Sequence, residues 1–273
     1  MSVLRFPWLL ALVACSRPPS VPAHPIAPAA ITLGETFSVE SLALRERRVI
    51  NVYLPPDYAT SGARYPVLYM PDGGMKEDFP HVVGSVDVSI KNGVIRPMIV
   101  VGVENTDRRH DLTGGTQTPE EQAAAPRAGG SAAFRTFFKR ELKRIIATRY
   151  RTTNESALIG ESLAGLFVVE TFLEDPALFD GYIAVDPSLQ WNEQAVARSA
   201  NERLVDLADT PKRLFVATAD EPAIQAGVAI LMSSLRIRAP AGVTWTYEPM
   251  PDEHHSTIFA IAALRGIRTL FAQ

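Results

Sequence analysis

The stretch "LIGESLAGLF", Leu158–Phe167, sets the reading of everything around it. A short apolar run ends at Gly160, a serine follows at 162, and an apolar run with helix-forming residues begins at Leu163. This is the pattern of a buried strand turning sharply into a helix. A serine on such a turn projects clear of the sheet, and the first N–H groups of the new helix have no acceptor within it. Both features suit acyl transfer, which needs an accessible nucleophile and donors for the developing oxyanion. Small residues two places either side keep the turn tight; here they are Gly160 and Ala164, with a glycine displaced to Gly165. Ser162 is therefore a candidate nucleophile and Leu163 N–H a candidate oxyanion donor. A serine at this place also caps helices, so the reading depends on partners elsewhere in the chain.

Working outward, strand-like and helix-like runs alternate. "RVINVYLPPDY" is a β-rich run stopped by Pro55-Pro56, and "YPVLYMPDGG" and "PMIVVGVEN" are near-continuous apolar runs. Runs of this kind suit strands buried on both faces of a parallel sheet. In "SAAFRTFFKRELKRIIATRY", Phe134, Phe137, Phe138, Leu142, Ile145 and Ile146 recur at helical spacing. Further strands are expected at "GYIAVD", "RLFVAT" and "VTWTYEP". Helices are expected after Ser162, over Asn192–Ala208, at "AIQAGVAILMSSLRI" and over Thr257–Phe271. The alternation predicts a mostly parallel, doubly wound α/β sheet with helices on both faces, whose ligands bind beyond the carboxyl ends of the strands. The polar connection Glu104–Gly130 leaves one such end. Its first half reads as an active-site wall or lid, and its second, "TPEEQAAAPRA", as a mobile stretch.

The partners of Ser162 are sought at the other strand ends. "MPDEHHSTIF" places His254 and His255 between the last strand and the last helix, where a general base belongs. Asp220 and Glu221 end "RLFVATADEP", Asp186 ends "GYIAVD", and any of them suits the acid that orients the imidazole; a Ser–His dyad is chemically workable too. After an early strand, Gly73-Gly74 lets the backbone approach a substrate closely, so the second oxyanion donor is expected to be the N–H of Gly74 or Met75.

Composition bounds the remaining classes. Of 273 residues 47% are hydrophobic and 21% charged, enough for one large domain with a sizeable core. The net charge of -3, with the basic residues scattered, gives no reason to expect nucleic acid. The lone cysteine, Cys15, allows no intrachain disulfide and no cysteine metal site, and the serine chemistry asks for no cofactor. Its context, "MSVLRFPWLLALVACSRPP", has Arg5 before a short apolar run, Phe6–Ala14, too short to span a bilayer. Leu12-Val13-Ala14 before the cysteine resembles a bacterial lipobox. That resemblance implies a signal peptide over 1–14, a lipid on Cys15, and a Pro/Ala-rich tether over 15–30 ahead of a domain over 31–273. A periplasm-facing envelope location follows, or secretion if Cys15 carries no lipid.

Taken together, "SLALRERRVINVYLPPDY", "YPVLYMPDGG", "VGVENTDRRHDLT", "GESLAGLF", "VDPSLQW" and "EHHSTIFAIAALRGIRTLF" resemble an esterase family of α/β-hydrolases. That family includes esterase D, enterochelin-type siderophore esterases, feruloyl esterases and mycolyltransferases. The resemblance implies an α/β-hydrolase fold and a serine esterase working through an acyl-enzyme on a small ester. It implies Ser162 as nucleophile, His254 as base with His255 the variable neighbour, and Asp220 or Glu221 as acid. It implies Arg108, Asp111 and Trp191 as substrate contacts. An acyltransferase with the same site, or a catalytically silent binding lipoprotein, are the alternative outcomes.

Overall fold

The computed structural model describes residues 30–207 and 211–273. The expected leader, Cys15 and the expected tether up to residue 29 lie outside the described residues, as does Ala208. Ala30–Thr32 carry no helix or strand, and Leu33–Gln273 form one compact unit.

Eight strands build the sheet: β1 (Glu35–Ser41), β2 (Glu46–Tyr53), β3 (Tyr65–Met70), β4 (Ile99–Val103), β5 (Thr152–Glu161), β6 (Gly181–Val185), β7 (Lys212–Thr218) and β8 (Val243–Pro249). Their spatial order is β1-β2-β4-β3-β5-β6-β7-β8. β2 pairs antiparallel with β1 and β4, and every later pair is parallel. Parallel strands need crossovers, which the helices supply: α1 (Phe79–Lys91), α2 (Arg108–Leu112), α3 (Pro119–Ala124), α4 (Ser131–Phe137), α5 (Lys143–Arg149), α6 (Leu163–Glu174), α7 (Trp191–Arg203), α8 (Pro222–Arg238) and α9 (Ile258–Phe271).

The continuous apolar runs have a direct physical reading. Side chains alternate across a strand, so Val67 and Tyr69 enter one core while Leu68 and Met70 enter the other. Tyr182 and Ala184 of β6 likewise oppose Ile183 and Val185. One core lies under α4 to α8 and contains Phe134, Phe137, Phe138 and Phe167; the second lies under α1 and α9. This is the doubly wound α/β arrangement that the alternation predicts.

Three details differ from the sequence-based expectation. β1 and α1 were not anticipated. β1 is short-patterned and largely exposed, whereas α1 carries Phe79, Val82, Val83 and Val86 inward behind a proline in its first turn, a signal present in the sequence. The single helix expected over Ser131–Tyr150 contains one wider π-turn, Phe138–Leu142, between α4 and α5. The segment after Thr113 is ordered: α3 is held by the Glu121 carboxylate, which accepts the Asn192 N–H at 3.0 and 3.1 Å, and the Asn192 side-chain oxygen accepts the Gln117 N–H at 2.9 Å. The stretch read as mobile contains this helix, tied through Glu121 to the start of α7.

Candidate active site

Ser162 sits between the end of β5 and the start of α6 with φ 58° and ψ -121°, a strained conformation for a residue with a Cβ. Its surroundings hold it there. The Ser162 N–H donates to the Val185 carbonyl at 3.1 Å, and the Ser162 carbonyl accepts the N–H groups of Leu166 at 2.8 Å and Ser188 at 3.0 Å. The altered elbow also has a steric explanation. A Cβ on Gly160 would stand 2.7 Å from the Ala164 methyl and 2.6 Å from its carbonyl carbon, and one on Gly165 would stand 2.9 Å from the Val185 carbonyl oxygen. The tight contacts therefore fall at 160 and 165, and position 164 has room for a methyl group.

The histidine facing the nucleophile is His255. Its Nε2 lies 3.0 Å from Ser162 Oγ, and its Nδ1 lies 2.6 Å from Asp186 Oδ2. This corrects the expectation of His254. The His254 N–H donates to Thr257 Oγ1 at 3.0 Å, and its carbonyl accepts the N–H groups of Thr257 and Ile258 at 2.9 and 3.0 Å. His254 thereby belongs to the turn that starts α9, and its side chain is left in solvent.

The acid is corrected as well. Asp186 is fully buried at the end of β6, with φ 41°; its Oδ1 accepts the Ala219 N–H at 2.9 Å. Asp220 and Glu221 are exposed beyond β7. The reason is strand order: β6 neighbours β5, so Asp186 follows a strand adjacent to the serine's, whereas β7 is one strand further away, about 4.8 Å more. Glu221 stands at the start of α8, and Asp220 contributes its main chain, whose N–H donates to the Glu253 carbonyl at 2.9 Å and anchors the histidine loop. The Asp186 hydrogen bond raises the His255 pKa above its ordinary value, burial opposing it. Ser188 Oγ stands 3.3 Å from Ser162 Oγ, a second hydroxyl at the nucleophile that the sequence reading did not single out.

The carboxyl next to the nucleophile is unusual. Burial, reinforced by Asp78 and Asp186, pushes Glu161 up to about 7, with His255 and Arg108 opposing. Burial, with Asp72 and Glu77 adding, likewise pushes Asp78 to about 6.

The expected oxyanion donors lie on two elements. Leu163 opens α6 directly after the nucleophile. The Gly74 N–H is already donated to Glu77 Oε2 at 2.7 Å, so Gly74 is corrected; Met75, half exposed on the same loop, is the remaining choice.

The expected substrate contacts separate. Asp111 is buried and paired with the fully buried Arg48, and its other oxygen lies 2.8 Å from His110 Nδ1, so it is part of the core rather than a contact for substrate. Trp191 donates from Nε1 to the Gly114 carbonyl at 3.2 Å and walls a cavity of about 230 Å³ with Gly115, Glu170, Leu173 and Val196. Glu170 is eight residues along α6 from Ser162, about 12 Å at 1.5 Å per residue, so this cavity flanks the nucleophile at a distance. Arg108 stays beside the site, bound to Asp72 at 2.8 and 2.9 Å.

A serine on a strand–helix elbow, an imidazole on the loop after the last strand and a buried aspartate between them define a serine hydrolase of α/β-hydrolase fold. Residues 41–239 match the model of the Esterase family, described as "Putative esterase", and the chain belongs to that family. It is 24% identical over 251 residues to the ferri-bacillibactin esterase BesA of Bacillus subtilis (strain 168), covering 82% of this chain and 85% of that protein. Among solved structures, an IroE-like serine hydrolase from Shewanella oneidensis superposes with TM-score 0.79 at 29% identity, over 87% of this chain and 80% of the other. The siderophore hydrolase EstB from Aspergillus nidulans shares the fold, with TM-score 0.76 at 21% identity over 91% and 98%. The protein is an esterase.

Proposed function

We propose that the protein hydrolyses a small, siderophore-like ester through an acyl-enzyme at Ser162. The observation that carries the chemistry is the continuous relay Asp186–His255–Ser162, at 2.6 and 3.0 Å. Asp186 holds the imidazole with Nδ1 protonated and Nε2 facing the serine. His255 Nε2 takes the Ser162 proton as Oγ attacks the ester carbonyl. The N–H of Leu163, with that of Met75, receives the oxyanion. His255 then gives its proton to the leaving alcohol; water attacks the acyl-enzyme by the same route in reverse. The substrate class rests on the relatives named for siderophore esters.

The test has two parts. A fluorophosphonate probe should label Ser162, located by mass spectrometry of the adduct, and Ser162→Ala should abolish p-nitrophenyl ester turnover. Offered a panel of esters, the enzyme should favour siderophore esters; equal rates on simple alkyl esters would refute the substrate class while leaving the chemistry standing. The anchoring reading adds that Cys15 carries a lipid in the cell envelope. Cys15→Ser should then move the protein from the membrane to the soluble fraction, and unchanged fractionation would refute it.

A further inference from the structure

Arg108 is the first residue of α2, beyond the carboxyl end of β4, and its guanidinium bridges two separate parts of the site. Nε–H and Nη2–H donate to the two oxygens of Asp72 at 2.8 and 2.9 Å, and Nη2–H also reaches the Glu161 carbonyl at 3.4 Å. Asp72 opens the loop that carries Met75, and Glu161 is the residue before the nucleophile. Among the described residues, Arg108 is the one side chain hydrogen-bonded to both.

The loop's other ties run toward the β4 and β2 side or within itself. The Gly73 N–H donates to the Val103 carbonyl at 2.9 Å, and Asn51 Nδ2 donates to the Gly73 carbonyl at 2.8 Å. Asn105 Nδ2 donates to Asp72 Oδ1 at 2.5 Å, and the Asn105 N–H donates to Glu77 Oε1 at 3.3 Å. The Asp78 N–H donates to the Asp72 carbonyl at 2.9 Å. Asp72 is 5% exposed and has φ 52°, a conformation that needs support from its surroundings. A two-pronged arginine–carboxylate pair fixes direction as well as distance.

We propose that the Arg108–Asp72 pair is a strut that fixes the loop carrying Met75 against the nucleophile elbow, making Arg108 a positioning residue for the oxyanion site rather than an anchor for the substrate's charge. The proposal rests on the esterase reading above. Its physical basis is that oxyanion stabilisation acts only where the donors already stand in place, and a misplacement of about 1 Å costs on the order of a hundredfold in rate.

Asp72→Asn is the informative variant, because asparagine tolerates positive φ while losing the charge that holds the guanidinium. The full chain is assayed on a neutral and an anionic p-nitrophenyl ester, and its affinity is measured for a trifluoromethyl ketone that forms a tetrahedral adduct. For a strut, kcat falls about a hundredfold on both esters with KM nearly unchanged, and ketone affinity falls in parallel. Arg108→Lys, which keeps the charge and loses the fork, behaves the same way and covers the case in which Asp72→Asn does not fold. A lower KM for the anionic ester alone in Asp72→Asn would show a released arginine binding substrate and overturn the proposal. Unchanged kcat and ketone affinity would also overturn it. Failure of the wild-type chain to label at Ser162 would instead sink the esterase reading, and the strut with it.

Discussion

Asp186 and His255 stand 2.6 Å apart, Oδ2 to Nδ1, across 69 residues of chain. The contact is set by the main chain on both sides. The Asp186 N–H donates to the Ala217 carbonyl at 2.7 Å, the Ala219 N–H returns to Asp186 Oδ1 at 2.9 Å, and the Asp220 N–H holds the Glu253 carbonyl two residues before the histidine. The ends of β6 and β7 and the histidine loop are thus one hydrogen-bonded unit.

From this unit follows a contrast between adjacent residues. His255→Ala should lower kcat/KM by about a thousandfold or more, and Asp186→Asn by on the order of 10⁴. His254→Ala, Asp220→Asn and Glu221→Gln should each change it only a few-fold. Steady-state kinetics on a p-nitrophenyl ester decide the matter, and a large loss in His254→Ala with a small one in His255→Ala would reverse the assignment.

The pH profile should report the same pair. His255 must be neutral to accept the serine proton, and Asp186 raises its pKa above 6.5, so kcat/KM should climb with a midpoint above that value. Glu161 adds to the rise through its charge. Glu161→Gln should therefore move the acid limb to lower pH, as read from the profile on a neutral ester.

Stability should depend on pH in a set direction. Glu161, at about 7, and Asp78, at about 6, hold protons more tightly in the fold than the ordinary 4.5 and 3.8 of these side chains. The folded state then binds more protons than the unfolded one, and stability falls as pH rises from about 4 through 7. The raised His255 acts the same way: its contribution is complete below the unfolded value of 6.5 and is lost as pH rises through the folded value. Thermal unfolding of Glu161→Gln should show a higher Tm than wild type at pH 8 and little difference at pH 5.

The elbow makes a steric prediction. Ala164→Gly should keep the esterase active, at a cost of up to about 1 kcal/mol for glycine within a helix. Gly160→Ala should prevent formation of the elbow, and Ala164→Gly added to it should not rescue it. The new methyl would still stand 2.6 Å from the carbonyl carbon of residue 164 and 2.7 Å from its oxygen. Circular dichroism melts with probe labelling separate these cases.

Asp111 should matter for folding and not for substrate. Arg48 and Asp111 are a buried pair, and removing Asp111 leaves the buried guanidinium with the partly exposed Glu46 carboxylate, 2.6 Å away, as its remaining charged partner, at a cost of up to about 3–5 kcal/mol. Asp111→Ala should lower the urea midpoint sharply while the folded fraction keeps its KM.

Much of this protein is determined by the sequence alone. Continuous apolar runs require strands covered on both faces, their alternation with helical periodicity requires a parallel doubly wound sheet, and a serine between Gly160 and Ala164 reads as an elbow because these are local properties. Tertiary structure decided the partners. His254 and His255 are adjacent and chemically equal; the first turn of α9 captures the main chain of one and leaves the other facing Ser162. Asp186, Asp220 and Glu221 all end strands, and only the order β5-β6-β7 makes Asp186 the near one. Arg108 and Asp111 share one short helix, yet one faces the elbow and the other the core. Periodicity records which face of an element is buried; which carboxylate reaches an imidazole 69 residues away depends on strand order and on loop hydrogen bonds that no local pattern carries.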